Sequence, residues 1–247
     1  MTGGWVEPSQ TPLRHLVCLD GGFHGGDSRT SPGAGPVSVA WIAQLSCAID
    51  WDGESERHSD FDFRIFGEDR DTDVSGKRFL DDFKRCFDEV EQPLIVTFGG
   101  RRTLLPAVRY AFLAADIPFP RLNQARDRWS GYFAPHAADW HFDLAEHLCF
   151  GGIQRGYGLS RMARDCGATT EIAGFLSGND PNSSILRSVA VYLLYARVKY
   201  GAGMMTRDAR RSAESALETL FETDNEDDKH TVEFLKTISS NAFFGSS

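Results

Sequence analysis

Leu94-Ile-Val-Thr-Phe-Gly-Gly-Arg-Arg-Thr-Leu-Leu-Pro106 is the stretch that decides the architecture. Leu94–Phe98 is apolar without polar alternation, as a strand buried on both faces is, and the glycine pair at 99 and 100 stops it. From Leu104 to Ala115 apolar residues then return every three to four positions, the spacing of a helix. Working upstream, Arg14–Asp20 reads as a short buried strand ending at an acid and broken by Gly21 and Gly22. A loop rich in Gly, Ser and Pro follows through Pro36. Strand-length runs rich in β-branched and aromatic residues occupy 37–45 and 47–51, and 61–66 alternates apolar and polar as a half-exposed strand should. These make an antiparallel start. Phe79, Leu80, Phe83, Cys86, Phe87 and Val90 then fall at helical spacing within 76–90.

Downstream of the deciding stretch the pattern is helical, over 143–149, 159–166 and 185–200. The order β, β, β, α, β, α followed by helices implies an α/β fold: a mixed sheet covered by helices, with the first and last strands placed centrally. The chain divides into a domain over 1–205 and a C-terminal helical extension over 206–247. In that extension 208–221 reads as an amphipathic helix, 223–229 as an acidic linker and 232–244 as a last apolar helix. No repeat of 20 to 50 residues is visible.

The 247 residues are 41% hydrophobic, 25% charged and 12% aromatic, values that exclude a disordered, fibrous or coiled-coil chain. No apolar run approaches the roughly 18 residues of a membrane span, and residues 1–8 lack a signal-peptide pattern, so a cytoplasmic protein without membrane contact is expected. Five widely spaced cysteines read as reduced, buried thiols. Net charge is -9, yet residues 101–211 carry 15 basic and 9 acidic side chains, and 14 of the 15 are arginine. Arginine grips phosphate with paired hydrogen bonds, so a phosphate-facing surface is one reading and a solvated, internally paired face the other.

The 94–106 stretch resembles the second motif of the 3'-5' exonucleases related to the proofreading domain of family B DNA polymerases. Three further stretches carry the same resemblance: Leu16–Asp20 to the first-strand motif, His141–Leu148 to a His-x-Asp-Leu helix start, and Val191–Arg197 to the end of the last helix. Together they cover roughly residues 14–200, and the resemblance implies an RNase H-like sheet. It also implies four carboxylates holding two Mg2+ or Mn2+ ions that activate water and stabilise the leaving oxygen of a phosphodiester. Carried over position by position, Asp20 keeps the first acid. The second falls at Gly22, the third at Leu104 and the fourth at Arg187. A glycine and a leucine cannot ligate, and an arginine puts positive charge where a dication would sit, so no cofactor is expected unless the protein is active.

Three functions follow as expectations. The first is a degenerate exonuclease-fold module that binds single-stranded DNA or RNA, or a protein, with Arg101, Arg102 and Arg187 neutralising phosphate that metals would otherwise neutralise. The second is an assembly subunit that offers its C-terminal helix to a protein partner. The third is an active exonuclease whose relocated metal site uses Asp20 and Asp143, the latter sharing a helical face with Glu146 and His147 near Asp139, His141 and Cys149. The plain alternative for Asp143 is a helix cap. Trp129, Tyr132, Phe133 and Trp140 beside Arg121, Arg126 and Arg128 either stack bases or pack a loop onto the core. Ser75-Gly-Lys77 and the glycine-rich runs 21–26 and 151–158 lack the spacing or the following helix of phosphate loops and read as a helix start and two loops.

Overall fold

Alternation along the first strand sets the layers. In β1 (Arg14–Phe23) the side chains of Leu16 and Cys18 enter one apolar cluster and those of Val17 and Leu19 another, on opposite faces of the sheet. The computed structural model describes residues 14–23, 39–67, 77–124, 130–134, 139–148, 158–165 and 170–223. β1 pairs antiparallel with β2 (Val39–Trp51), which pairs antiparallel with β3 (Glu56–Gly67). On its other side β1 pairs parallel with β4 (Leu94–Thr97), and β4 pairs parallel with β5 (His141–Asp143). The sheet order β3-β2-β1-β4-β5 is a mixed, RNase H-like arrangement flanked by helices. β1 is central, as expected, with β4 beside it.

The helices α1 (Lys77–Glu89) and α2 (Leu104–Ala114) cover one face. There Phe83 is 1% exposed and meets the rings of Phe66, Phe87, Phe112 and Phe119. The other face is covered by α6 (Pro181–Gly201), whose buried residues include Ile185, Val189, Tyr192 and Tyr195. Such a helix is apolar nearly all round because it lies between the sheet and further helices. Against this layer pack α3 (Leu144–Leu148), α4 (Leu159–Asp165), α5 (Thr170–Phe175) and α7 (Arg207–Thr223).

Several boundaries differ from the sequence reading. β1 continues through Gly21 and Gly22 to Phe23, because both glycines remain paired, with Ile42 and Trp41. The two runs at 37–45 and 47–51 form one strand whose register against β3 slips between Ser46 and Ala48. His141–Asp143, read as a helix start, is a three-residue edge strand, and α5 was not foreseen. α6 begins at Pro181 and not at Ile185: the Asp180 carboxylate accepts from the Ser183 N–H at 2.9 Å, and proline occupies the first turn. α7, the first part of the expected extension, lies on β3 and buries Ala213 and Leu217 in the same cluster as α6. Its start is tied down where the Glu56 N–H donates to the Met204 carbonyl and the Thr206 N–H to Ser55 Oγ, both at 2.9 Å. The helix expected over 232–244 lies outside the described residues.

Truncating the ring at the centre of the aromatic face should be costly. Phe83→Ala is expected to lower unfolding free energy by about 3–5 kcal/mol in urea titration, against well under half of that for truncating the exposed Leu113 on α2.

Candidate functional site

Period-two alternation puts Asp20 and Gly22 on the α6 face of β1, with Leu16 and Cys18. Helical spacing places Ser184 and Arg187 on one face of the first turns of α6. These two elements meet. Arg187 Nε donates to Asp20 Oδ2 at 2.8 Å, Nη2 donates to Ser184 Oγ at 2.6 Å, and Nη1 donates to the Gly178 carbonyl. Both charged side chains are mostly buried, Arg187 at 14% exposure and Asp20 at 23%. Trp41 Nε1 donates to the same Ser184 Oγ at 2.8 Å. Burial pushes the Asp20 carboxyl above its ordinary pKa, opposed first by the Arg187 charge and then by hydrogen bonds from Ser184, Arg187 and the backbone at Gly21.

The two glycines after Asp20 are occupied space. Gly22 faces Trp41 across the β1–β2 pair, and a Cβ built on Gly22 would lie 1.9 Å from the indole ring. A Cβ on Gly21 would lie 2.7 Å from the Trp41 carbonyl and 2.8 Å from Leu104 Cδ1. Leu104 itself is buried in the α1–α2 cluster. Of the four acid positions that the resemblance implies, one is a carboxylate bonded to a guanidinium, one is roofed by an indole, one is core leucine and one is the guanidinium. This set does not fit a pair of divalent cations, which need several free oxygen ligands each. Among the described residues no group of three or more His, Cys, Asp and Glu side chains is placed to hold a metal ion.

Asp143 lies elsewhere and is saturated by backbone. Oδ1 accepts from the N–H groups of Gly99 at 2.8 Å and Ala145 at 3.0 Å, and Oδ2 accepts from the Arg101 N–H at 2.9 Å. One buried carboxylate therefore fastens the glycine turn after β4 and caps α3. Arg101 turns inward: Nη1 donates to the Ala134 carbonyl at 2.6 Å, Nη2 to the His141 carbonyl at 2.7 Å, and Nε is 3.4 Å from Glu146 Oε2. Arg102 is 68% exposed, with Nε 3.4 Å from Glu146 Oε1. His147 is exposed and Cys149 lies outside the described residues. Tyr132 is buried, donating to the Pro93 carbonyl at 3.0 Å and packing edge-on against Trp140, so this part of the aromatic group belongs to the core. Trp129, Arg126 and Arg128 lie outside the described residues.

Sequence reasoning found Asp20, Gly22, Leu104 and Arg187 but missed Trp41, Ser184 and Gly178. Ser184 was within reach, one helical turn before Arg187. Trp41 required the register of β2 on β1, which no local pattern specifies.

No family model matches the chain, and no curated protein matches it. Among solved structures, the family B DNA polymerase of the hyperthermophilic archaeon Pyrobaculum calidifontis is similar to it, with 18% identity and a TM-score of 0.42. The match covers 85% of this chain and 29% of the polymerase. At that level it adds nothing to what the geometry of the site establishes. Among the described residues no helix is long and apolar enough to cross a membrane.

His141 gives the Asp143 region a pH signature. The ring is fully buried between the Tyr132 carbonyl, 3.1 Å from Nδ1, and Thr97 Oγ1, 2.8 Å from Nε2. Burial, aided by the Arg101 charge, pushes its pKa down to about 4 from 6.5. An unfolded chain takes up this proton near pH 6.5 while the folded one resists it, so stability must fall as pH falls through that window, by about 1.4 kcal/mol per pH unit. In urea titrations between neutral pH and pH 5, the wild type should lose stability more steeply than His141→Gln. Equal slopes would contradict this.

Proposed function

We propose that this chain is a catalytically degenerate protein of the 3'-5' exonuclease fold that works as a binding module and cleaves no phosphodiester. The observation that carries the reading is the 2.8 Å bond from Arg187 Nε to Asp20 Oδ2. It places the fourth acid position's side chain directly on the first and satisfies with a guanidinium the one acid retained at the four positions. The Trp41 ring against Gly22 and the buried Leu104 support the same reading, because neither residue has a side-chain oxygen.

The binding role is a scaffold role. Arg187 and Arg101 spend their donors on groups of their own fold, so of the three arginines considered for phosphate only Arg102 presents a largely exposed side chain. This weights the module toward a protein partner, reached through the domain surface or the C-terminal segment, and away from a strand of DNA or RNA held in the cleft. An active enzyme would need acids other than the four positions above.

Calorimetric titration of Mg2+ and Mn2+, run beside an assay with 5'-labelled single-stranded DNA and RNA, tests this reading. No saturable heat and no shortening of either strand are expected. Products that shorten from the 3' end only when metal is present would overturn it.

A further inference from the structure

The guanidinium of Arg187 sits in an all-oxygen cage. Its three nitrogens each have one oxygen partner: the carboxylate of Asp20, the hydroxyl of Ser184 and the backbone carbonyl of Gly178. The cage is assembled from two parts of the chain, β1 and the segment that leads into α6. Asp20 is on the central strand. Ser184 Oγ is also held by Trp41 Nε1 at 2.8 Å, which orients the hydroxyl. The Gly178 carbonyl is set by the turn between α5 and α6, where the Gly178 N–H donates to the Phe175 carbonyl at 2.9 Å. A Cβ on Gly178 would lie 2.1 Å from Ser183 Oγ, so a larger residue there would have to displace that side chain.

Carboxylate, carbonyl and hydroxyl are the ligand types that hard metal ions choose. Their charge and shape here suit a different cation. One carboxylate matches a single positive charge, and the three oxygens meet the fixed fork of donors of a planar guanidinium, not the octahedron that Mg2+ demands. We infer that Asp20, Ser184 and Gly178 form a binding site for a singly charged planar cation, that the protein fills it with its own Arg187, and that this tethered cation clamps α6 to β1 in place of a divalent metal. The inference deepens the proposed function, since it names what the former metal position holds, but its test needs neither nucleic acid nor catalysis.

The test is chemical rescue of a truncated side chain. Arg187→Gly should lower the thermal midpoint by roughly 5 °C or more, because the mostly buried Asp20 charge and the Gly178 carbonyl lose the guanidinium and Ser184 Oγ keeps only Trp41 Nε1. Millimolar methylguanidinium should restore at least half of that loss by binding the folded state, whereas methylammonium and Mg2+ at the same concentration should not, and the wild type should respond to none of them. Arg187→Lys serves as the second variant, to be read even if the glycine variant does not fold. It keeps the charge without the fork, and its midpoint should fall below that of the wild type and stay unmoved by methylguanidinium. Restoration of Arg187→Gly by Mg2+ as fully as by methylguanidinium would overturn the inference, as would an unchanged midpoint in either variant. Nuclease activity of the wild type would defeat the proposed function and leave the rescue result standing, so the two failures are distinguishable.

Discussion

The contact between Arg187 and Asp20 joins the two elements around which the rest of the molecule is arranged. β1 is the middle strand of five, pairing antiparallel on one side and parallel on the other, and α6 is the helix buried across that face. An acid on a central strand facing an apolar helix is unfavourable by itself, because a carboxylate taken from water must recover its solvation from neighbours. Arg187 supplies that recovery, and Ser184 shares it. The guanidinium's two other bonds reach the helix's own first turn and the turn before it. The one acid of the site is thereby paired with the protein's own atoms.

The two glycines that follow Asp20 fit the same packing. Gly22 brings no side chain to this face of β1, and Trp41, its cross-strand partner, fills the space while bonding Ser184. Gly21 makes room for Leu104, which would otherwise meet a Cβ at 2.8 Å. A glycine in a strand interior ordinarily weakens it, and here both glycines mark places where a neighbour comes unusually close. Asp143 and Arg101, near the same C-terminal end of β4, also carry charge into the fold, and both spend it on backbone groups. Asp20, Arg187, Asp143 and Arg101, which the sequence offers as candidates for chemistry, are fasteners between chain segments in this molecule.

Much of the fold could be read from local pattern. The buried strand at 94, the helix after Gly99–Gly100 and the amphipathic helix ahead of them follow from apolar spacing, and the alternation of β1 assigns its two faces. What escaped were features set by distant partners. β5 is three residues long and exists because β4 offers an edge. The first turn of α6 is polar, with Asn182, Ser183 and Ser184, so apolar periodicity hides it although Asp180-Pro181 marks the start. At the four positions that the resemblance implies, the presence of a single acid was legible, because residue types suffice to show that the side chains of glycine, leucine and arginine do not ligate. The surroundings of Asp20 were not legible: Trp41 reaches Gly22 through strand register, and Gly178 contributes a carbonyl, which residue identity never advertises.

A double-mutant cycle with Asp20→Asn and Arg187→Gln, read by urea unfolding at neutral pH, gives the coupling free energy between the two side chains. If the guanidinium is the carboxylate's partner inside the fold, the two changes should be non-additive by more than about 1 kcal/mol, with the double variant more stable than the sum of the single losses predicts. Additive losses would show that the two side chains act independently and would contradict the account.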